Sequence, residues 1–420
     1  MNRGRQILFV TFDVIGPQRG GAAIRVLGLA GALARAGFSV AVAAPRVETF
    51  VVDQFALKAF DLARPREALR PLLQETGLVV LPMHALVRLP FLSRAKIPLV
   101  FDLYDPFLFE LMAAGADEDE LEAHRVLQNQ VLRRGDFFLC ASERQRNYWL
   151  GELSTNGRTE PNELIAMVPF GIDPSPPPLH SSARDIFPSI PLTEKIIVWP
   201  GGIWDFTDPE TLVEAMGLLE GSGIHLVFFA GKHPGEDHQE TAAARKARAL
   251  ASGKVHFVDG YIPFERRGDY FAECDAAVST HRANLESRFA YRTRFLDCLW
   301  AGLPIVCTEG DVFAELVVRQ ELGLTVPPQN PEVLARAIER IALDSAFAER
   351  CRANVIRLRP QFDWNDAIKS FTDFCSRPRV THTSSPLADT RGQLKRAKHV
   401  LRTKGARETM RRLRQHLRNR

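Results

Sequence analysis

Short apolar runs alternate along the chain with longer stretches of helical period. Gln6–Phe12 (QILFVTF) is a continuous apolar run, of the kind that parallel strands buried on both faces show. A loop, Asp13 to Gly21, follows it. Ala22–Ala36 then places Val26, Leu29, Ala30 and Leu33 on one helical face, with Gly37 as a stop signal. Phe38–Ala44 is the next predicted strand. Further runs at Leu78–Leu81, Pro98–Leu103, Phe137–Ala141 and Ile165–Val168 read as strands, with helices between them, the longest over Phe107–Arg134.

The pattern breaks at Pro174–Pro191, which holds six prolines and reads as an extended linker. Beyond it the alternation restarts. Strands are predicted at Lys195–Trp199, His225–Phe229, Val255–Val258, Ala276–Ser279 and Pro304–Cys307. Helices are predicted at Pro209–Leu219, Glu240–Ala251, Glu265–Glu273, Arg292–Trp300, Val312–Gln320 and Pro331–Leu343, and a last amphipathic one at Phe362–Cys375. Strand and helix in alternation argue for an α/β protein with doubly wound sheets. The reading is two Rossmann-like domains facing a cleft: residues 1–173, a proline-rich linker 174–191, and residues 192–361. A helix over 362–376 crosses back to the first domain, ahead of a basic tail, 377–420.

Composition adds three points. Apolar residues make up 45% of the 420, enough for large cores. The six cysteines form no CxxC pair, and several lie inside apolar runs, so they are expected as reduced core thiols in a cytoplasmic protein. The first ten residues carry too short an apolar run for a signal peptide, and no run approaches the ~18 residues of a membrane span.

Charge is uneven. The net is +4, but residues 377–420 carry 14 Lys and Arg against 2 acids, a net of +12. The body, with 40 basic and 48 acidic residues, is net −8. The tail places Leu394, Ala397, Leu401, Met410, Leu413 and Leu417 near helical spacing among its bases. Residues 391–420 thus fit an amphipathic helix on an anionic membrane surface, the inner face for a cytoplasmic protein. A protein partner, a nucleic-acid contact or a solvated tail are the alternatives. The body shows no basic groove interleaved with aromatics, so nucleic acid is not expected as the main substrate.

Candidate chemistry concentrates in Ser279–Asp311, between two predicted core strands. It holds Glu286, then Arg288, Arg292 and Arg294, then Asp297. Carboxyl ends of strands and the helix N-termini beside them are where anions bind in open α/β sheets. A carboxylate for hydroxyls beside arginines for phosphates suits a sugar nucleotide. Gly20 and Gly21 stand at the first strand-to-helix turn, bordering phosphates or acceptor, or else packing tightly. They are not part of GxGxxG, so a nicotinamide cofactor is not favoured. His84, His225, His256 and His281 show no ligand spacing, so no metal is assigned.

Six segments in order resemble the GT-B glycosyltransferases, specifically the retaining glycosyltransferase family 4. They are Gly20-Gly21-Ala-Ala-Ile-Arg25 with its helix; Cys140-Ala-Ser142-Glu143; Val168-Pro-Phe-Gly171-Ile-Asp173; Trp199-Pro-Gly201-Gly202 with Glu214-Ala215; Val255 to Pro263; and Leu296-Asp297-Cys-Leu-Trp-Ala-Gly302-Leu-Pro304. The resemblance covers roughly Gln6 to Cys375. It departs from the family in three places. The paired glutamates, usually seven residues apart, are best matched by Glu286 and Asp297 with ten between. The usual Arg and Lys after the hinge strand fall on Gly202 and Thr207. The histidine after the fourth strand is absent from Phe101-Asp102-Leu103-Tyr104-Asp105-Pro106.

The resemblance implies transfer of a sugar from a nucleotide-diphosphate donor to a hydroxyl, with retention and without a metal or other cofactor. The acceptor is a glycan or lipid-linked sugar of cell-surface polysaccharide or glycolipid assembly. Glu286 would hold donor-sugar hydroxyls, and Asp297 the ribose. Gly201, Gly202, Arg292, Thr293 and Arg294 would hold the diphosphate, and Tyr261 and Ile262 the base. Asp102 and Asp105 would bind the acceptor or act as base, with a helix cap as the plainer role for one of them. The rival readings are a catalytically silent subunit of the same fold, and a nucleotide-sugar epimerase or hydrolase.

Overall fold

The computed structural model describes residues 6–48, 52–181, 185–229, 240–258 and 260–382. The chain divides into two compact units. The first comprises the described residues of Met1–Gly16, Ala22–Pro169 and Ala367–Arg420; the second comprises those of Pro17–Gly21 and Phe170–Asp366. The basic tail expected as a membrane-facing helix, 391–420, lies outside the described residues. Among the described residues no helix is long and apolar enough to cross a membrane.

The first unit is built on seven strands: β1 (Gln6–Val10), β2 (Val40–Ala44), β3 (Ala56–Ala59), β4 (Thr76–Pro82), β5 (Leu99–Asp102), β6 (Phe137–Cys140) and β7 (Ile165–Met167). They pair in the order β3-β2-β1-β4-β5-β6-β7, all parallel. The second unit has six: β8 (Lys195–Trp199), β9 (Ile224–Phe228), β10 (Val255–Phe257), β11 (Ala276–Ser279), β12 (Ile305–Thr308) and β13 (Gly323–Val326). Their order is β10-β9-β8-β11-β12-β13, again all parallel. Both sheets follow the doubly wound order, in which the chain leaves its first strand in one direction and later returns to the other side. That reversal opens a crevice beyond the carboxyl ends of β8 and β11 in the second unit. The helices used below are α1 (Gly21–Arg35), α2 (Leu285–Phe289), α3 (Arg294–Ala301) and α4 (Val312–Arg319).

Each sheet has its own apolar core. Leu8, Val79, Phe101, Phe138 and Trp149 anchor the first; Ile197, Trp199, Leu226, Phe228, Val278 and Ile338 anchor the second. All six cysteines are unpaired and buried, and burial pushes the thiols of Cys140, Cys298 and Cys307 upward.

Several elements differ from the sequence expectation, each for a local reason. The long helix expected over Phe107–Arg134 is two, Phe107–Ala113 and Glu118–Arg134. Gly115 takes a left-handed φ of 77° between them, and the Asp117 side chain caps the second helix by accepting the Glu120 N–H at 3.0 Å. The helix expected over Phe362–Cys375 is broken into Trp364–Ala367 and Lys369–Ser376. Phe362 accepts the Ile172 N–H at 2.7 Å and Asp363 bridges to Ile172, so a strand-like pairing overrides helical period there. Phe374 of the last helix lies 4.3 Å from the Phe137 ring of β6.

The proline-rich stretch is not a free spacer. His180 and Ser181 N–H groups donate to Asp269, those of Ile186 and Phe187 donate to Glu273, and the Phe187 ring meets Phe229 and Tyr270. It presses so closely that a Cβ on Gly268 would lie 2.8 Å from the Pro178 carbonyl oxygen. Strand β13 was not foreseen. Its Gly323 has no room for a side chain, because a Cβ would fall 1.9 Å from the Ile305 carbonyl.

A buried ionic knot ties the residues after the last helix to the first unit. Asp136 is fully buried and accepts from the N–H groups of Leu99 (2.9 Å), Thr381 (2.7 Å) and His382 (3.1 Å). It also binds Arg134 Nη1 at 2.9 Å and His382 Nδ1 at 2.8 Å. Burial works to raise this carboxyl, but the hydrogen bonds from His382, Leu99 and Thr381 and the Arg134 charge outweigh it and hold it below the usual value. Asp136→Ala would leave Arg134 buried without a counter-charge and is expected to cost about 3–5 kcal/mol, read as a lower urea midpoint. A depressed carboxylate stabilises above its unfolded value of ~3.9 and loses this as pH falls, so the gap between variant and wild type narrows below about pH 4.

Candidate functional site

The carboxyl ends of β8, β11 and β12 gather the polar groups of the second unit. After β8 the chain turns through Gly201, whose φ of 98° only glycine adopts freely, and a Cβ there would meet nothing within 4 Å. The turn therefore leaves space in front of the sheet instead of filling it. After β11 come Thr280 and His281, and His281 pairs in a short bridge with Thr207 of the loop after β8. Asn284 then starts α2, its side chain accepting the Ser287 N–H at 2.9 Å.

This short helix presents Glu286, which is buried. Arg292, also buried, donates to it through both ends of its fork: Nη1 to Oε1 at 2.5 Å and Nη2 to Oε2 at 2.8 Å. Its Nε donates to Asp311 Oδ2 at 3.3 Å. Asp311 in turn caps α4, its Oδ1 accepting the Ala314 N–H at 2.7 Å. One guanidinium thus joins α2 to the start of α4, from a position just ahead of α3. Burial opposes the charge on Arg292, but Glu286 and Asp311 more than compensate and raise its pKa. Asp311 is itself pushed upward, by burial against the pull of Arg292.

Arg294, two residues on, has a different environment. It is half-buried at the start of α3, over the Trp199 ring at 4.9 Å, and donates to the Gly202 carbonyl at 3.3 Å. Among the described residues it pairs with no carboxylate, and its Nη1 is shielded from solvent with no hydrogen-bond partner. Burial, then the neighbouring Arg292 charge, pull it down to about 9. Neither nitrogen of the His281 ring has a partner among the described residues, and the ring is buried. Burial, then Arg292 and Arg294, hold it neutral.

The structure therefore brings Glu286, Arg292, Thr293, Arg294, Gly201 and Gly202 to the ends of these strands. Arg292 donates three of its five N–H groups to Glu286 and Asp311. Thr293 makes no side-chain cap. Asp297 lies one turn into α3, its carboxylate about a third exposed and paired with Arg267 Nε at 3.1 Å. Arg267 stacks on the rings of Phe264 and Trp300. Tyr261 is engaged at both ends: its hydroxyl donates to the Arg19 carbonyl at 2.8 Å, and its own carbonyl accepts from Gln18 Nε2 at 3.0 Å. Ile262 beside it is half-buried.

Gly21 opens α1, and a Cβ on it would meet nothing within 4 Å, so tight packing does not require the glycine. Asp102 closes β5, where Arg25 of α1 grips it at 2.5 and 2.9 Å while also donating to the Val168 carbonyl at 2.9 Å. Arg25 is fully buried, so Asp102 is held by a structural partner. Asp105 accepts the Phe107 N–H on its backbone carbonyl at 2.9 Å, and Pro106 rather than either aspartate occupies the cap position of that helix. Sequence reasoning passed over His281 and Asp311. Asp311 carried a signal, a polar residue just before an apolar helix; His281 carried none.

Comparison with known proteins follows this geometry. Residues 194–344 match the family described as glycosyl transferases group 1. No curated protein matches the chain. Sucrose-phosphate synthase from Thermosynechococcus elongatus superposes with a TM-score of 0.66 at 20% identity, covering 89% of this chain and 98% of that one. Anabaena HepE in complex with UDP-glucose gives 0.66 at 18% identity, over 89% and 99%. WaaG, a glycosyltransferase involved in lipopolysaccharide biosynthesis, gives 0.63 at 16%, over 88% and 100%.

Arg292→Met would leave Glu286 and Asp311 buried without their cation and is expected to cost about 3–5 kcal/mol in urea unfolding. Arg292→Lys should recover only part of this, since an ammonium cannot span two carboxylates as the planar fork does. Residues 194–344 are thus similar to the group 1 glycosyl transferases, and the chain as a whole shares the GT-B fold of these solved structures.

Proposed function

We propose that the protein transfers a sugar from a nucleotide-diphosphate donor to a hydroxyl of a glycan or lipid-linked acceptor, with retention at the anomeric carbon and without a metal. The observation that carries this reading is Glu286, a buried carboxylate fixed by Arg292 at the carboxyl edge of the second sheet, beside the open Gly201 turn. Each carboxylate oxygen keeps a lone pair beyond the one Arg292 takes, so Glu286 is able to accept hydroxyls of the donor sugar. In the transfer, the bond from the anomeric carbon to the diphosphate oxygen breaks and its electron pair leaves with the diphosphate. The acceptor oxygen forms the new bond and passes its proton to the departing diphosphate oxygen. Holding the sugar in one pose lowers the entropic part of the barrier, and donors aimed at the departing diphosphate stabilise its growing charge.

Two of the structural neighbours are described with a UDP-linked glucose or with lipopolysaccharide biosynthesis, which supports a nucleotide-sugar donor and a cell-surface product as the first choices to test. The net +12 of residues 377–420 supports work at an anionic membrane surface. A silent binding subunit is the second reading. It is favoured by one feature, the absence of a basic residue at Gly202 and Thr207.

A panel of labelled nucleotide sugars decides between them. Wild type should pass label to an added acceptor faster than to water, and Glu286→Gln should lower kcat/KM by about 100-fold or more. Binding of nucleoside diphosphates without transfer from any donor would favour the silent subunit. Release of free sugar at the same rate with and without acceptor would favour a hydrolase.

A further inference from the structure

We infer that the diphosphate of the donor is held by Arg294 from the first turn of α3, together with the neutral imidazole of His281, in place of a basic pair on the loop after β8. This rests on the donor reading above and names the residues that serve it. Three observations carry it.

First, the loop Gly201–Asp208 contains no Lys or Arg, so a phosphate at the end of β8 finds no cation on that loop. Second, the two arginines nearby are not equivalent. Arg292 spends its donors on Glu286 and Asp311, and that triad already has an excess of negative charge. Among the described residues the Arg294 side chain meets a backbone carbonyl and the Trp199 ring, and its Nη1 is shielded without a hydrogen-bond partner. Buried polar groups are nearly always satisfied, and a guanidinium with a shielded nitrogen lacking an acceptor and no carboxylate partner among the described residues is an exception in this region. An anion is the ligand that would complete it. Third, His281 stands at the end of β11, across the switch point from β8, with both ring nitrogens unpartnered. A neutral imidazole offers one N–H and one acceptor, so it donates to a phosphate oxygen at one nitrogen without adding charge. The Gly202 carbonyl that Arg294 touches places the guanidinium beside the Gly201 turn; a Cβ on Gly201 would meet nothing within 4 Å, while the Trp204 indole lies against Gly202.

This arrangement predicts opposite behaviour for two arginines two positions apart. Removing Arg292 damages the protein, whereas removing Arg294 relieves an uncompensated charge and damages only the binding of an anion. The probes are UDP, ADP and GDP, with inorganic pyrophosphate as competitor, titrated calorimetrically into the full chain. Thermal melts of the ligand-free proteins run alongside. Wild type should bind at least one of the diphosphates, and pyrophosphate should displace it. Arg294→Met should weaken that affinity at least tenfold, as expected for loss of a charge-assisted hydrogen bond, with the ligand-free Tm equal to or above that of wild type. Arg294→Lys should retain an intermediate affinity, and it serves as the second variant if Arg294→Met folds poorly. His281→Phe should weaken binding about threefold to tenfold by removing one neutral donor.

Wild-type affinity in both Arg294 variants would overturn the assignment while leaving the donor reading intact. Failure of wild type to bind any nucleoside diphosphate would overturn the donor reading, and this assignment with it. A ligand-free Arg294→Met protein that melts well below wild type would show the guanidinium to be structural and would also count against the proposal.

Discussion

A single guanidinium organises the polar end of the second unit. Arg292 is buried, where a charge is expensive, and it is tolerated because two carboxylates accept three hydrogen bonds from it. The matching works in both directions. Glu286 has its cation in the fork, and Asp311 is displaced upward by its burial. Because Asp311 also caps α4, the same contact fixes where that helix starts. The short helix α2, only five residues long, has little stability of its own. Its position is set by the Asn284 cap at one end and by this ion pair through its middle.

The two sheets share one strand order but use their switch points differently. In the first unit the charged residue at the end of β5, Asp102, is gripped by Arg25 from α1, and the guanidinium also binds the Val168 carbonyl beyond β7. In the second unit the network stops short: Glu286 and Asp311 are satisfied, while Arg294 and His281 are left with donors that nothing in the described chain accepts. A closed network stabilises a fold, and an open one costs stability until a ligand completes it.

The proline-rich stretch illustrates how backbone donors are disposed of when secondary structure is absent. Its free N–H groups at His180, Ser181, Ile186 and Phe187 reach two carboxylates, Asp269 and Glu273, that are themselves buried. Composition alone reads such a segment as a spacer, because composition carries no information about acceptors supplied from far along the chain.

Period and apolar runs, taken from the amino-acid order alone, were enough for most strands, for the alternation that makes both sheets parallel, and for helices with plain start and stop signals such as Pro331–Leu343. These features depend on neighbours within a few residues, and local physics reports them. The acidic and basic residues of the site were legible as a cluster for the same reason, since they lie within one short stretch. Their division of labour was not. Whether Arg292 or Arg294 faces an acid depends on Asp311, nineteen positions on, and on the Trp199 ring and Gly202 carbonyl of another strand end. The breaks at Gly115 and Asp363, the strand at Gly323 and the exposure of His281's two nitrogens to no partner were likewise settled by packing between distant segments. Sequence fixes what each residue can offer, but only the folded chain decides which offers are already taken, because the cost of a buried charge depends on what stands within a few ångströms of it.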